Sequence, residues 1–170
     1  MTEASIDTRE LRNAFGCFAT GITIVTTLNE KGEAVGITAN SFTSVSLDPP
    51  LLLWCLDRRS TTFETFNACK AFVVTVLDIN AAPLASRFAM KAGHSAEGVD
   101  TVPTELGPPT FSDALAVFEC DVYARQDAGD HVVILGKVRR FTRLLIDDGA
   151  GSGPLLYYRG RYGVLGPLVG

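Results

Sequence analysis

The sequence predicts a mainly β protein with short helices, an antiparallel barrel rather than a doubly wound parallel sheet. Three observations carry this. Apolar and β-branched runs of strand length recur along the chain, at Ile22–Leu28, Leu51–Leu56 and Ala71–Leu77, each bounded by turn residues. Stretches with helical spacing are few and short, so the strand–helix alternation that builds a parallel sheet is missing. A length of 170 residues with 16 Gly and 8 Pro suits one domain over residues 1–170 and excludes a disordered or collagen-like chain.

The elements follow in order. Asp7 with Glu10 forms a capping-box pattern. Leu11, Ala14, Phe15 and Phe18 recur at helical spacing, which predicts an amphipathic helix over residues 8–19 stopped by Gly21. Ile22–Leu28, the turn Asn29-Glu30-Lys31-Gly32 and a strand from Ala34 predict a hairpin. That second strand is expected to run on through Ser46. Leu51–Leu56 reads as a strand buried on both faces, and Thr62–Lys70 as a helix behind a hydroxyl-rich start. Ala71–Leu77 is a strand, and Pro83–Met90 a short helix with Pro in its first turn. Residues 91–113 form the one long irregular stretch, of the kind that often carries function. Ala114–Arg125 and Val132–Leu145 are long strands joined by Gln126–Asp130, and Leu155–Tyr158 with Arg161–Leu165 make a closing hairpin around Arg159-Gly160. Strands in this meander order favour an antiparallel barrel.

Net charge is −4 and no basic run exceeds the pairs Arg58-Arg59 and Arg139-Arg140, so nucleic acid is not an expected partner. No apolar run approaches the ~20 residues of a membrane span. Charges at Glu3, Asp7, Arg9 and Glu10 leave no basic-then-apolar leader. Cys17, Cys55, Cys69 and Cys120 are scattered among apolar neighbours without a C-x-x-C, which reads as reduced, mostly buried thiols in a cytoplasmic protein. With two histidines and no cysteine or carboxylate spacing to replace them, no metal site is expected. G-x-G-x-x-G, P-loop and G-x-S-x-G patterns are absent too.

The most informative stretch is Gly36-Ile-Thr-Ala-Asn-Ser-Phe-Thr-Ser-Val-Ser46. On a continuous strand Thr38, Asn40, Phe42, Ser44 and Ser46 share one face. Four hydrogen-bonding groups and one ring suit a flat heterocycle with donors and acceptors on its edge. The same row could face water, although no Lys, Glu or Asp lies between Val35 and Leu47. Arg58-Arg59-Ser60-Thr61-Thr62 opens a helix whose free N–H groups and dipole favour a phosphate. Thr61 with Glu64 fits a capping box, and an ordinary N-cap with two solvated arginines explains most sequences of this kind. Arg87 is a second phosphate candidate or a surface charge. His131, in Gly129-Asp130-His131, reads on its own as a turn residue. These residues suggest a site for a flat, phosphate-bearing ligand that carries any chemistry itself.

Thr38–Pro50, Leu84-Ala-Ser-Arg-Phe-Ala89, Gly129-Asp-His131 and Pro154-Leu-Leu-Tyr-Tyr158 together resemble the flavin reductase-like domain family, the small reductase components of two-component flavin-dependent monooxygenases. The resemblance runs from about Arg9 to Leu165. It implies a split β-barrel of the FMN-binding type, usually a homodimer, that reduces FMN or FAD with NADH or NADPH and supplies reduced flavin to a partner oxygenase. It further implies that Thr38, Ala39, Asn40 and Ser41 contact the isoalloxazine ring, with Cys55 and Leu56 along the ring or ribityl chain. Ser60 and Thr61 are implied at the phosphate, and Ser86, Arg87 and Phe88 around phosphate and ring. His131 is implied to face the nicotinamide nucleotide as its orienting group, bordered by Arg161 and Tyr162. The same fold family includes flavoproteins that hold FMN tightly as binding or electron-transfer modules. A cysteine-dependent hydrolase is the remaining alternative.

Overall fold

A computed structural model describes residues 6–144 and 152–167. These residues form ten strands and three short α-helices: α1 (Thr8–Phe15), β1 (Thr20–Gly21), β2 (Thr23–Leu28), β3 (Ala34–Ala39), β4 (Thr43–Leu47), β5 (Pro50–Asp57), α2 (Phe63–Ala68), β6 (Ala71–Leu77), α3 (Ala82–Ala89), β7 (Ala114–Ala128), β8 (His131–Arg143), β9 (Leu156–Tyr158) and β10 (Arg161–Gly163). Seven strands form one sheet in the order β3-β2-β6-β7-β8-β5-β4, and β1, β9 and β10 form a second. Every pair is antiparallel. The order is not a meander, because β2 pairs with β6 and β5 with β8.

The two end strands of the large sheet are consecutive in the chain. No ladder joins β3 to β4 among the described residues, so the sheet stays open. Four Cα steps from Ala39 to Thr43 reach at most about 14 Å, whereas the margins of a flat seven-stranded sheet would lie about 29 Å apart. The sheet must therefore curl, which gives the mainly β, split architecture. This also corrects the continuous strand over residues 36–46: the chain bends at Asn40 and crosses from one margin to the other. Asn-Ser-Phe preserves the period-two pattern, so the crossing left no mark in the alternation.

Inside the curl, Val25, Leu52, Trp54, Leu56, Phe66, Phe72, Val74, Cys120, Val132 and Ile134 form one core. Trp54 meets Phe66 and Phe72 edge-on at 5.2 and 6.0 Å between centroids. A second core, built on Ile22, Ile24, Leu77, Ala85, Phe88, Phe111 and Leu155, lies under α3. β2 feeds both cores and is the strand buried on both faces. β5 is not: Leu52, Trp54 and Leu56 are buried, while Leu51, Leu53, Cys55 and Asp57 are half-exposed, because nothing in the described chain covers that face.

Element ends differ from expectation for local reasons. α1 stops at Phe15 with Gly16 as its cap, since the following residues must reach β1 and its partner β9. Asp7 caps α1 by accepting from the Arg9 and Glu10 amides, but Glu10 accepts from Asn13 instead of closing the box. No α1 residue is buried, so its apolar face is left uncovered by the described residues. α2 ends at Ala68 and begins at Phe63 behind Thr62. A turn of 3-10 helix at Ile79–Ala81, unforeseen, leads into α3, which spans Ala82–Ala89. β7 and β8 extend to a two-residue turn, Gly129-Asp130, with Gly129 at φ +62° as a type II′ turn requires. β8 ends at Arg143, and Leu145 lies outside the described residues. The closing hairpin is present, and both its turn residues, Arg159 (φ 49°) and Gly160 (φ 79°), are left-handed, as a type I′ turn demands. All four cysteines are free, but only Cys120 is fully buried and Cys17 is exposed.

Candidate functional site

The junction between β3 and β4 is pinned from two sides. Thr38, near the end of β3, donates its hydroxyl to the Ala85 carbonyl of α3 at 2.7 Å. Ser41 takes the Cys55 amide N–H at 2.9 Å, so a hydroxyl supplies the ladder partner that the broken strand withholds from β5. Burial pushes the Cys55 thiol up, against a lowering hydrogen bond from Ser41, and keeps it protonated. Asn40 is exposed between these anchors, and Phe42 turns away to stack on Phe118 at 5.7 Å. Of the row expected on one face, Thr38 and Phe42 are thus committed to packing. Asn40, Ala39 and Ser41 remain at the bend.

From Cys55 the chain runs two residues to Asp57, which pairs across β5 and β8 with His131. Arg59 folds back on Asp57 and holds its carboxyl below the usual range. Arg58 is ion-paired with Asp127 and lies over the Phe63 ring at 5.8 Å. Both arginines are therefore neutralised, which corrects the picture of two free cations at a helix start. The capping box fails as well. Ser60 accepts the Thr62 amide and pairs with its hydroxyl at 2.8 Å, so Thr61 is not the cap. Thr61 instead reaches the Lys91 carbonyl at 3.3 Å and His94 Nδ1 at 3.2 Å. His94 is held below its usual pKa by burial. Sequence reasoning missed it, because a histidine in an irregular stretch carries no signal of its neighbour.

Arg87 donates to the carbonyls of Ser95 and Glu97 at 3.3 and 2.8 Å and so straps the segment after α3. Gly93 permits that strap to lie close, since a Cβ there would meet the Arg87 carbonyl oxygen at 1.9 Å. Ser86 is exposed on α3. The side chains of Leu56 and Phe88 are fully buried, Phe88 beneath Gly36 and against Phe111, so neither side chain offers a surface to a ligand. Tyr162 meets Tyr157 edge-on in the small sheet at 5.8 Å between centroids, with Arg161 exposed beside it.

Two cavities flank this arrangement. A cleft of about 740 Å³ is lined by α1, Thr20, Asn40, Tyr157, Arg159 and Gly160, a size typical of small-molecule sites. The buried Thr20 hydroxyl at its wall has no hydrogen-bond partner among the described residues. A smaller cavity of about 310 Å³ adjoins Thr61, Thr62, Lys91 and His94. An exposed amide, an orphaned hydroxyl and aromatic walls fit an uncharged, flat ring with a polar edge. Among the described residues no group of His, Cys, Asp and Glu could hold a metal, and no cysteine bonds a histidine. Among the described residues no helix is long and apolar enough to cross a membrane.

An open, curled β-sheet whose edge junction, at Asn40, lines a cleft of ligand size defines a class of mainly β, split-sheet proteins. Residues 15–166 match the profile of the flavin reductase like domain, and the chain belongs to that family. It is 43% identical over 162 residues to a probable flavin reductase of Rhizobium meliloti, covering 95% of this chain and 50% of that protein. It is 36% identical to the reductase subunit HsaB of a flavin-dependent monooxygenase from Mycobacterium tuberculosis, covering 94% of this chain and 83% of that one. The structure overlays the NADH:FAD oxidoreductase SgcE6 of Streptomyces globisporus, solved with NAD and FAD fragments. The TM-score is 0.85 at 35% identity, over 96% of this chain and 98% of that one. The chain spans about half the length of the first of these relatives.

Proposed function

We propose that the protein is an NAD(P)H:flavin oxidoreductase that reduces FMN or FAD and hands reduced flavin to a partner monooxygenase. The observation that carries this reading is the near-complete overlay on SgcE6, 98% of whose length is matched, with Thr38 bonded to α3 and Ser41 to Cys55 on either side of Asn40, which lines the cleft. A flavin bound there would supply the redox chemistry, taking a hydride from a reduced nicotinamide, so the protein would need no nucleophile.

The chain's own residues would bind and orient. Asn40, Ala39 and Ser41 would meet the ring edge, where fixed donors favour added electron density. Cys55, protonated and neutral, would line the ring without charge, and Leu56 would contribute through its backbone alone. Ser60 and Thr61, with Ser86, would serve the phosphate. Arg87 would act there by holding residues 95–97, and Phe88 by supporting β3 from below. His131 would orient the nicotinamide nucleotide, with Arg161 and Tyr162 at its border. The exposed apolar side chains of Phe15 at the end of α1 and Phe18 just beyond it, at 70% and 78% accessibility, support a homodimer. Four free thiols support a cytoplasmic location.

The test follows the absorbance of NADH, then NADPH, with the purified protein while riboflavin, FMN or FAD is added in turn. Flavin-dependent consumption of one nicotinamide is the expected result and identifies the preferred pair. A yellow protein that consumes neither would overturn the reductase reading in favour of an FMN-holding module.

A further inference from the structure

The turn between β7 and β8 is braced before any ligand is considered. Gly129 supplies its left-handed residue, and the Asp130 carbonyl accepts the Arg58 amide N–H at 3.0 Å. His131 is paired on both sides, with Ala128 of β7 and Asp57 of β5. On this fixed backbone Asp130 Oδ1 lies 2.7 Å from His131 Nδ1. That hydrogen bond, with the nearby imidazole, holds the Asp130 carboxyl below its usual range, so the group is an ionised acceptor with no proton to give. The shared proton must therefore sit on Nδ1.

We propose that Asp130 is a positioning residue that fixes His131 as its Nδ1–H tautomer and leaves Nε2 as a hydrogen-bond acceptor. A neutral imidazole so oriented recognises a donor, such as a ribose hydroxyl or the carboxamide NH2 of a nicotinamide, and not a phosphate oxygen. The other charges at this corner are already matched: Asp57 by Arg59, and Asp127 by Arg58. Asp130 is thus the carboxylate left to serve the histidine. That the donor belongs to a nicotinamide nucleotide rests on the proposed reductase function; the tautomer does not.

The two parts are tested on one 15N-labelled full-length protein. With only His94 and His131 in the chain, long-range nitrogen–proton spectra above neutral pH report both tautomers, and His131→Gln assigns the signals. His131 is expected as the Nδ1–H form in the parent. In Asp130→Asn it shifts towards Nε2–H while His94 stays unchanged. KM for reduced nicotinamide nucleotide then rises about fivefold, the size of one hydrogen bond, with most of the loss in kcat/KM carried by KM. Asp130→Glu restores the tautomer in part. An Nε2–H majority in the parent, or a tautomer unmoved by Asp130→Asn, overturns the proposal whatever the kinetics. A tautomer that shifts without any change in KM overturns the recognition of the nucleotide by His131. If the parent shows the expected tautomer but oxidises no nicotinamide with any flavin, the reductase reading falls and the role of Asp130 towards His131 stands.

Discussion

The hydroxyl of Ser41 caps the amide of Cys55 at 2.9 Å, and this one contact ties the bend between β3 and β4 to the middle of β5. It replaces a strand–strand bond at the place where the sheet changes margins.

Ser41→Ala is expected to leave the Cys55 N–H without its partner. The cost is about 1–2 kcal/mol of unfolding free energy, the range for an unmet, partly buried donor. Denaturant unfolding measures it. Fluorescence titration with FMN and FAD should show weaker binding in the same variant, whereas an unchanged affinity would separate the bend from the ligand.

Gly136→Ala tests the inner core. A Cβ there would stand 2.4 Å from Phe72 Cζ and 2.9 Å from Cys120 Cβ, and both residues are fully buried, Phe72 edge-on to Trp54. Overpacking of this kind costs about 1–3 kcal/mol. Pairing it with Phe72→Leu should recover part of the loss, read as a non-additive double-mutant cycle in urea.

Asp78 gives the pH dependence. Burial raises its carboxyl, but bonds from the Ser152 hydroxyl, the Asn80 and Gly153 amides and the Asn80 side chain outweigh that and hold it below the ordinary value. A depressed folded pKa means the stabilisation is complete above the unfolded value of about 4 and disappears as pH falls through the folded one. The difference in melting temperature between the parent and Asp78→Asn should be constant from pH 7 to about 5 and shrink below about 4. A difference that grows on acidification would contradict this.

Thiol labelling should proceed in a fixed order. Cys17 is exposed and reacts first; Cys55 and Cys69, half-buried with raised pKa values, follow. Cys120, pushed up to about 12 by burial with help from Asp121 and Glu119, reacts only on unfolding. Timed alkylation with peptide mass mapping gives the sequence of events.

Much of the architecture was legible because burial dictates residue type. The β-branched runs of β2 and β6 appear where expected, and the hairpin turns at Gly32 and Arg159-Gly160 obey local φ preferences. What escaped depends on residues far apart in the chain. Phe18 continues the helical spacing of α1, yet the strand it precedes must pair with β9, about 140 residues on. Leu51–Leu56 is uniformly apolar, and only the sheet order reveals which side is left uncovered. At the site, the arginines of the 58–59 pair find carboxylates at Asp127 and Asp57, and Arg87 finds two carbonyls. Charge type was readable; the partner that quenches it was not.

Only Asn40, Ser41 and Phe42 separate the two margins of a seven-stranded sheet. The tether, more than any side-chain contact, sets how tightly the molecule rolls. Two added residues would allow the margins to drift apart by up to about 7 Å, enough to widen the mouth of the cleft beyond what a planar molecule could bridge. Loops elsewhere can lengthen at little cost, but in this short hinge every extra residue would be felt at the mouth.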